Sequence, residues 1–214
     1  MTTGSLIVSA GWLMIASGLI LGFSYISHPH AMPPEVIASP GWFVIHLLFA
    51  LSLVFGLLAT TVLYACTALR LGKVAMTGFV MLFVGMMMIF GLNYYEVFIA
   101  PFLAENYPKV IVDYGAGDTM GLVALVFPLS GSLTVVGYAL LGFAWYRGGS
   151  LPRWIGLGLV ATALAFGVGL SPVGGIEIAR VGAALFGLAL TATGVWAVRH
   201  PARFSGDNGD TVRD

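Results

Sequence analysis

Long apolar runs separated by short polar breaks dominate this chain from Leu6 to Val198. Crossing about 30 Å of hydrocarbon at about 1.5 Å of rise per residue takes roughly twenty residues in a helix. Six stretches meet that length, at about 5–27, 40–70, 73–100, 118–147, 152–170 and 175–199. The connections at 71–72, 148–151 and 171–174 are so short that they predict antiparallel hairpins. The pattern therefore predicts an all-α integral membrane protein, a six-transmembrane-helix antiparallel bundle over residues 1–204. The tail at 205–214 has no apolar periodicity and is expected to be disordered and cytoplasmic.

The breaks carry their own signals. Ser39-Pro40 places a capping hydroxyl before a proline whose missing N–H costs nothing in a first helical turn. Asp118 offers a carboxylate to the positive end of the fourth span. Gly148-Gly149, Gly174-Gly175, Pro101 and Pro152 mark further edges. The first apolar stretch, Leu6 to Ile26, is longer than a secretory signal core and lacks a basic residue before it, which predicts a retained helix.

Composition narrows the class. With 59% hydrophobic and 8% charged residues, the chain carries too much apolar side chain for one water-exposed globule. Cys66 is the single cysteine, which excludes an intrachain disulfide and any multi-cysteine metal motif. The few charges are sorted by position. Arg70, Lys73, Arg147, Arg153, Arg199 and Arg203 fall on one side of a six-span arrangement, so both termini are expected in the cytoplasm of a plasma-membrane protein. Loops 28–39 and 101–117 are then outside, where Glu35, Glu96, Glu105, Asp113, Asp118 and Glu177 outnumber Lys109 and Arg180.

Helices in lipid associate through close backbone approach and a few hydrogen bonds. Ala184, Gly187, Thr191 and Gly194 recur at steps of three and four, lining one face of the last span with small side chains. Gly11 and Gly18 offer a matching row in the first. Pro128 interrupts the fourth span, and Ser130, Gly131 and Ser132 follow it with hydroxyls suited to released backbone groups, so a kink is expected there, structural in role, with the shaping of a pocket as the alternative. Met81, Met86, Met87 and Met88 supply pliable apolar surface in the third span.

Candidate chemistry gathers near the outer ends of the spans. His46 lies shortly after Pro40, Asn93 and Glu96 are one turn apart, and so are Glu177 and Arg180. A charge buried in a membrane is costly unless paired, so Arg180 is expected to seek Glu96, Glu177, a free carbonyl or an anionic ligand. His46, Asn93, Glu96, Arg180, Glu177 and Ser130 are thus the candidate ligand-binding residues of an outward-facing polar cleft. His28-Pro29-His30, with Glu35 or His46, is the candidate metal site for zinc or copper; His200 belongs to the opposite side.

No phosphate loop, His-Glu-x-x-His helix, Cys-x-x-Cys pair or nucleophile elbow occurs, and the basic residues form no nucleic-acid stripe. The leading expectation is a protein that holds a lipid-like or amphipathic small molecule, or serves a membrane-protein partner as an accessory subunit. Transport of a small solute or ion and a metal- or haem-dependent membrane oxidoreductase are the alternatives. No residue pattern specifies a cofactor or a catalytic group.

Overall fold

The structure is a computed structural model that describes residues 2–115, 121, 123–171 and 175–205. Among these residues every regular element is helical. Helix α1 runs Thr3–Ile26, α2 Pro34–Ile37 and α3 Pro40–Tyr94. A π-helical turn, Tyr95–Ile99, leads into α4, Ala100–Asn106, and α5, Pro108–Gly115. Then come α6, Val123–Arg147, α7, Arg153–Gly169, α8, Gly175–Arg199, and the short α9, Ala202–Ser205.

Local chemistry sets several starts. Thr2 Oγ1 accepts from Ser5 N at 3.2 Å ahead of α1, and Ser39 Oγ accepts from Trp42 N at 3.3 Å ahead of α3. Each hydroxyl satisfies one amide that has no partner in the first turn. The capping role expected of Asp118, the glycine expected to break the chain at 174, and tail residues 206–214 lie outside the described residues.

The expected six-helix bundle is corrected by the observed helices. Four described helices are long and apolar enough to cross a membrane: Thr3–Ile26, Pro40–Asn106, Leu125–Arg147 and Gly175–Arg199. The stretches at 40–70 and 73–100, read as separate spans, belong to one helical stretch of 67 residues. Helical backbone runs up to Gly72 and away from it with no intervening loop, and only Gly72 leaves the helical region, at φ 68° and ψ −161°. That left-handed φ suits a residue without a Cβ. The stretch folds back there, since Tyr64 and Phe79 stack with ring centroids 4.3 Å apart.

The stretch at 152–170 forms a helix of 17 residues, about 26 Å long and short of a full crossing. An apolar run records which residues shun water; it does not record where helical hydrogen bonding continues or stops. The segment at 101–117, read as a loop, is largely helical in α4 and α5 up to Gly115.

Glycine rows hold the helices together. A methyl group built on Gly11 would sit 2.8 Å from the Gly194 carbonyl oxygen, and one on Gly18 would strike the Gly187 carbonyl oxygen. The small-residue rows of α1 and α8 are therefore each other's partners, with backbones in contact. Between α3 and α6, Gly85 meets Thr134 N at 2.6 Å and Gly137 meets Leu82 N at 2.5 Å by the same construction. Gly182 of α8 meets Phe166 Cα of α7 at 2.7 Å. Ser17 and Ser52 tie α1 to α3, each hydroxyl donating to the other's carbonyl at 2.9 Å.

The outer surface is apolar. Trp12, Leu19, Phe23, Leu125 and Leu188 are all more than half exposed, a surface that hydrocarbon solvates and water does not. The chain is an all-α, multi-pass membrane protein.

Two ends of the molecule differ in chemistry. At one, Arg70 donates to Ser150 Oγ at 3.0 Å and to the Arg203 carbonyl at 2.8 Å. At the other, Ile37, Trp42, Ala100, Ala104 and Ile111 form a small apolar cluster that seats α2, α4 and α5 over the ends of the long helices.

Candidate functional site

The second end contains the candidate residues, and the reason begins with the π-helical turn. A π turn shifts the backbone hydrogen-bond register by one residue. The Glu96 carbonyl, inside this turn, accepts from Trp42 Nε1 at 2.9 Å. One turn earlier, Asn93 Nδ2 donates to the His46 carbonyl at 2.9 Å. These two bonds join the start of α3 to its end, so the fold-back at Gly72 returns the chain to the residues it left.

His46 is buried, 6% exposed. Its Nδ1 lies 2.9 Å from the Trp42 carbonyl. A carbonyl only accepts, so the neutral ring carries its proton on Nδ1 and keeps a lone pair on Nε2. The Trp42 ring stacks on His46 at 4.1 Å, and the His28 ring meets His46 edge-on at 5.2 Å. His28 Nδ1 lies 2.9 Å from the Pro29 carbonyl. Burial pushes the His28 pKa below the ordinary histidine value; the Pro29 bond opposes that shift and the nearby Arg180 charge adds to it.

Two cavities open beside these groups. The smaller, about 470 Å³, is lined by Ser24, His28, Trp42, His46, Asn93 and Glu96 among others. The larger, about 540 Å³, reaches Ser17, Ser52, Met86, Pro128, Ser130 and Phe186. Tyr25, Phe49, Ile89, Phe127 and Leu170 line both, so the two spaces are adjacent. Both walls are mainly apolar; the smaller, the polar chamber, is the one that His28, His46, Asn93 and Glu96 line, while the larger, the apolar chamber, has only hydroxyls among its polar side chains.

Several hydroxyls of the larger chamber are already used. Ser17 and Ser52 serve each other's carbonyls, Ser130 donates to the Phe127 carbonyl at 2.8 Å, and Thr134 donates to the Ser130 carbonyl at 2.9 Å. The polar chamber differs. Ser24 is 2% exposed, and its Oγ has no hydrogen-bond partner among the described residues.

The candidate residues thus separate into three groups. His46, Asn93 and Glu96 line the polar chamber. Ser130 lines the apolar one, together with Met86 from the methionine-rich patch. Glu177 and Arg180 form a cluster outside both linings, with Arg180 Nη1 3.0 Å from Glu177 Oε1 and Nη2 bonded to the His28 carbonyl.

His30 joins this outer cluster, with Nε2 2.6 Å from Glu177 Oε1. The His28-Pro29-His30 segment is therefore divided, His28 toward His46 and His30 toward Glu177. No group of three or more His, Cys, Asp or Glu side chains suited to a metal ion occurs among the described residues. Glu35 is exposed on α2.

Sequence reasoning missed Trp42, Ser24, Tyr25 and Phe127. Trp42 precedes His46 by four positions, which puts both on one helical face and signals the stacked pair. Ser17, Leu21, Ser24 and Tyr25 follow the same spacing along α1 and line one or both chambers. No protein-family model, curated protein or solved structure matches this chain.

Proposed function

We propose that this membrane protein binds a lipid-like, amphipathic small molecule, its polar end among His46, Asn93 and Glu96 and its apolar chain in the chamber beside Met86, Pro128 and Ser130. The observation that carries the reading is the adjacency, through shared side chains, of a cavity that His46, Asn93 and Glu96 line and a second whose only polar side chains bear hydroxyls. Both volumes fall within the range of about 300–1,000 Å³ common to small-molecule sites. Side chains lining an unfilled apolar space forfeit dispersion contacts that a hydrocarbon chain would restore.

The same reading sets the protein in the plasma membrane with segments 28–39 and 101–117 on the outer side. Support comes from the basic residues around Arg70 and Arg203 at the opposite end, which suit the cytoplasmic face. The binding chamber then opens toward the outer leaflet, from which a lipid enters without crossing the membrane.

Native mass spectrometry after gentle detergent extraction tests the binding reading. The wild type should retain one amphipathic adduct per chain. Gly131 lines the apolar chamber, and a Cβ there meets only Leu170 Cδ1, at 3.7 Å. Gly131→Phe, whose Cβ meets no backbone, should therefore fill part of the space and reduce adduct occupancy about tenfold or more. A wild type that is reproducibly free of adduct in a folded state, or an adduct indifferent to Gly131→Phe, would refute it.

A further inference from the structure

Which head group suits the polar chamber follows from the hydrogen-bonding groups that remain open in it. We infer that the ligand is a neutral lipid bearing a hydroxyl head, of the long-chain alcohol or monoacylglycerol class, in place of a phospholipid, a fatty acid or an amine. This inference rests on the amphipathic-ligand reading and narrows it.

Two features of the chamber point to a hydroxyl. Ser24 Oγ, buried at 2% exposure and unpartnered among the described residues, lines the chamber. A buried hydroxyl left without a partner loses the hydrogen bonds that water would supply, so its position favours a ligand that gives or accepts one. His46 presents an Nε2 lone pair in its neutral form, because Nδ1 is committed to the Trp42 carbonyl. An acceptor of that kind needs a donor. A hydroxyl both donates and accepts, so it matches a donor such as Ser24 and an acceptor such as His46 Nε2, which neither a carboxylate nor a phosphodiester does.

Charge argues in the same direction. Glu96 lines the chamber and takes part in no ion pair among the described residues. No lysine or arginine lines the chamber; Arg180 stands in the outer cluster, its Nη atoms engaged by Glu177, His30 and the His28 carbonyl and its buried Nε without a partner among the described residues. An anionic head would be desolvated beside Glu96 with no cationic side chain in the lining to receive it, an arrangement that costs free energy. An ammonium head could pair with Glu96 and donate to His46, but it has no acceptor, so the Ser24 hydroxyl proton would stay unbonded.

The test is competitive loading of the delipidated, detergent-solubilised full chain with oleyl alcohol, monoolein, oleic acid, oleylamine and dioleoyl phosphatidylglycerol, read by native mass spectrometry. Monoolein or oleyl alcohol should exceed oleic acid and phosphatidylglycerol by about tenfold, the discrimination expected of a site whose buried groups need a hydroxyl. Ser24→Ala should reduce that preference several-fold while leaving the melting temperature near wild type. Glu96→Arg should shift it toward oleic acid, and the Glu96 backbone carbonyl, which holds Trp42, survives that change.

Preference for oleic acid, phosphatidylglycerol or oleylamine in the wild type, or a hydroxyl preference unmoved by Ser24→Ala, would overturn the inference while leaving amphipathic binding intact. Failure to load any of the five, with the protein still folded, would count against the broader reading as well.

Discussion

Helix α1 has two faces that solve opposite problems. Along one, Gly11 and Gly18 lie so close to Gly194 and Gly187 that no side chain fits between the backbones. Along the other, Ser17, Leu21, Ser24 and Tyr25 border open space large enough for a ligand. Hydrocarbon gives apolar surfaces little reason to leave the lipid, so close packing on the first face supplies the association energy. The second face can stay open because the α8 seam, with the Ser17–Ser52 bonds to α3, holds the helix in place.

The sharpest way to break this contrast is to crowd the packed face. Gly18→Ala should destabilise the protein by about 3 kcal/mol, near the upper end of overpacking costs, because the obstruction is the Gly187 carbonyl and not a flexible side-chain tip. Gly158→Ala on α7, where nothing lies within 4 Å of the added carbon, should be neutral or stabilising by up to about 1 kcal/mol through helix propensity. Thermal unfolding in one detergent compares the two. Equal melting temperatures would mean that the α1–α8 contact is not the structural anchor.

A smaller effect is expected at the open face. Asn93→Leu removes the bond to the His46 carbonyl that ties the two arms of α3 together at the polar chamber. A loss of about 1 kcal/mol is expected, typical of one hydrogen bond between membrane helices, along with weaker ligand retention. If stability falls while retention is unchanged, Asn93 serves packing only.

Acidification adds a third, directional test. The folded-state pKa of His28 is depressed, so below the ordinary histidine value the unfolded chain takes up a proton that the folded chain resists. Stability should fall as pH drops through about 6.5, the unfolded value, and level off once the folded ring also protonates. Melting curves between about pH 7.5 and 5 should show a steeper decline for the wild type than for His28→Gln. Identical pH profiles would contradict the assignment of that decline to His28.

Arg180→Ala should have the smallest global effect, about 1 kcal/mol or less, since its partners Glu177 and His30 are 67% and 68% exposed. Its mark should be local. Hydrogen exchange at residues 28–30 should quicken, because Arg180 bonds the His28 carbonyl from a distant helix. Unchanged exchange there would show that the segment is held by the His28, Trp42 and His46 rings instead.

Much of the anchor was legible in the sequence, and much of the site was not. The row Ala184, Gly187, Thr191, Gly194 shows itself by spacing alone, since only close backbone contact rewards such a series. Hydropathy also announces the membrane class. It miscounts the spans because it is blind to backbone continuity: the chain reverses at Gly72 with helical residues on both sides, and α7 stops at 17 residues.

The polar residues were identifiable as types, and their grouping was not. His46, Asn93 and Glu96 come together because the α3 fold-back and the π turn bring Trp42 to the Glu96 carbonyl. Arg180 and Glu177, at what reads as a similar depth, belong instead with His28 and His30. Depth along a helix follows from counting residues, whereas azimuth depends on which helices are neighbours.

The central claim is that the two chambers form one amphipathic binding site. A high-resolution experimental density map of the protein in lipid nanodiscs tests it most directly. One elongated non-protein feature should run from Ser24 and His46 past Phe49 and Phe127 to Met86 and Ser130, continuous between the chambers. Chambers closed by their own side chains, or holding only separate water peaks, would contradict the account.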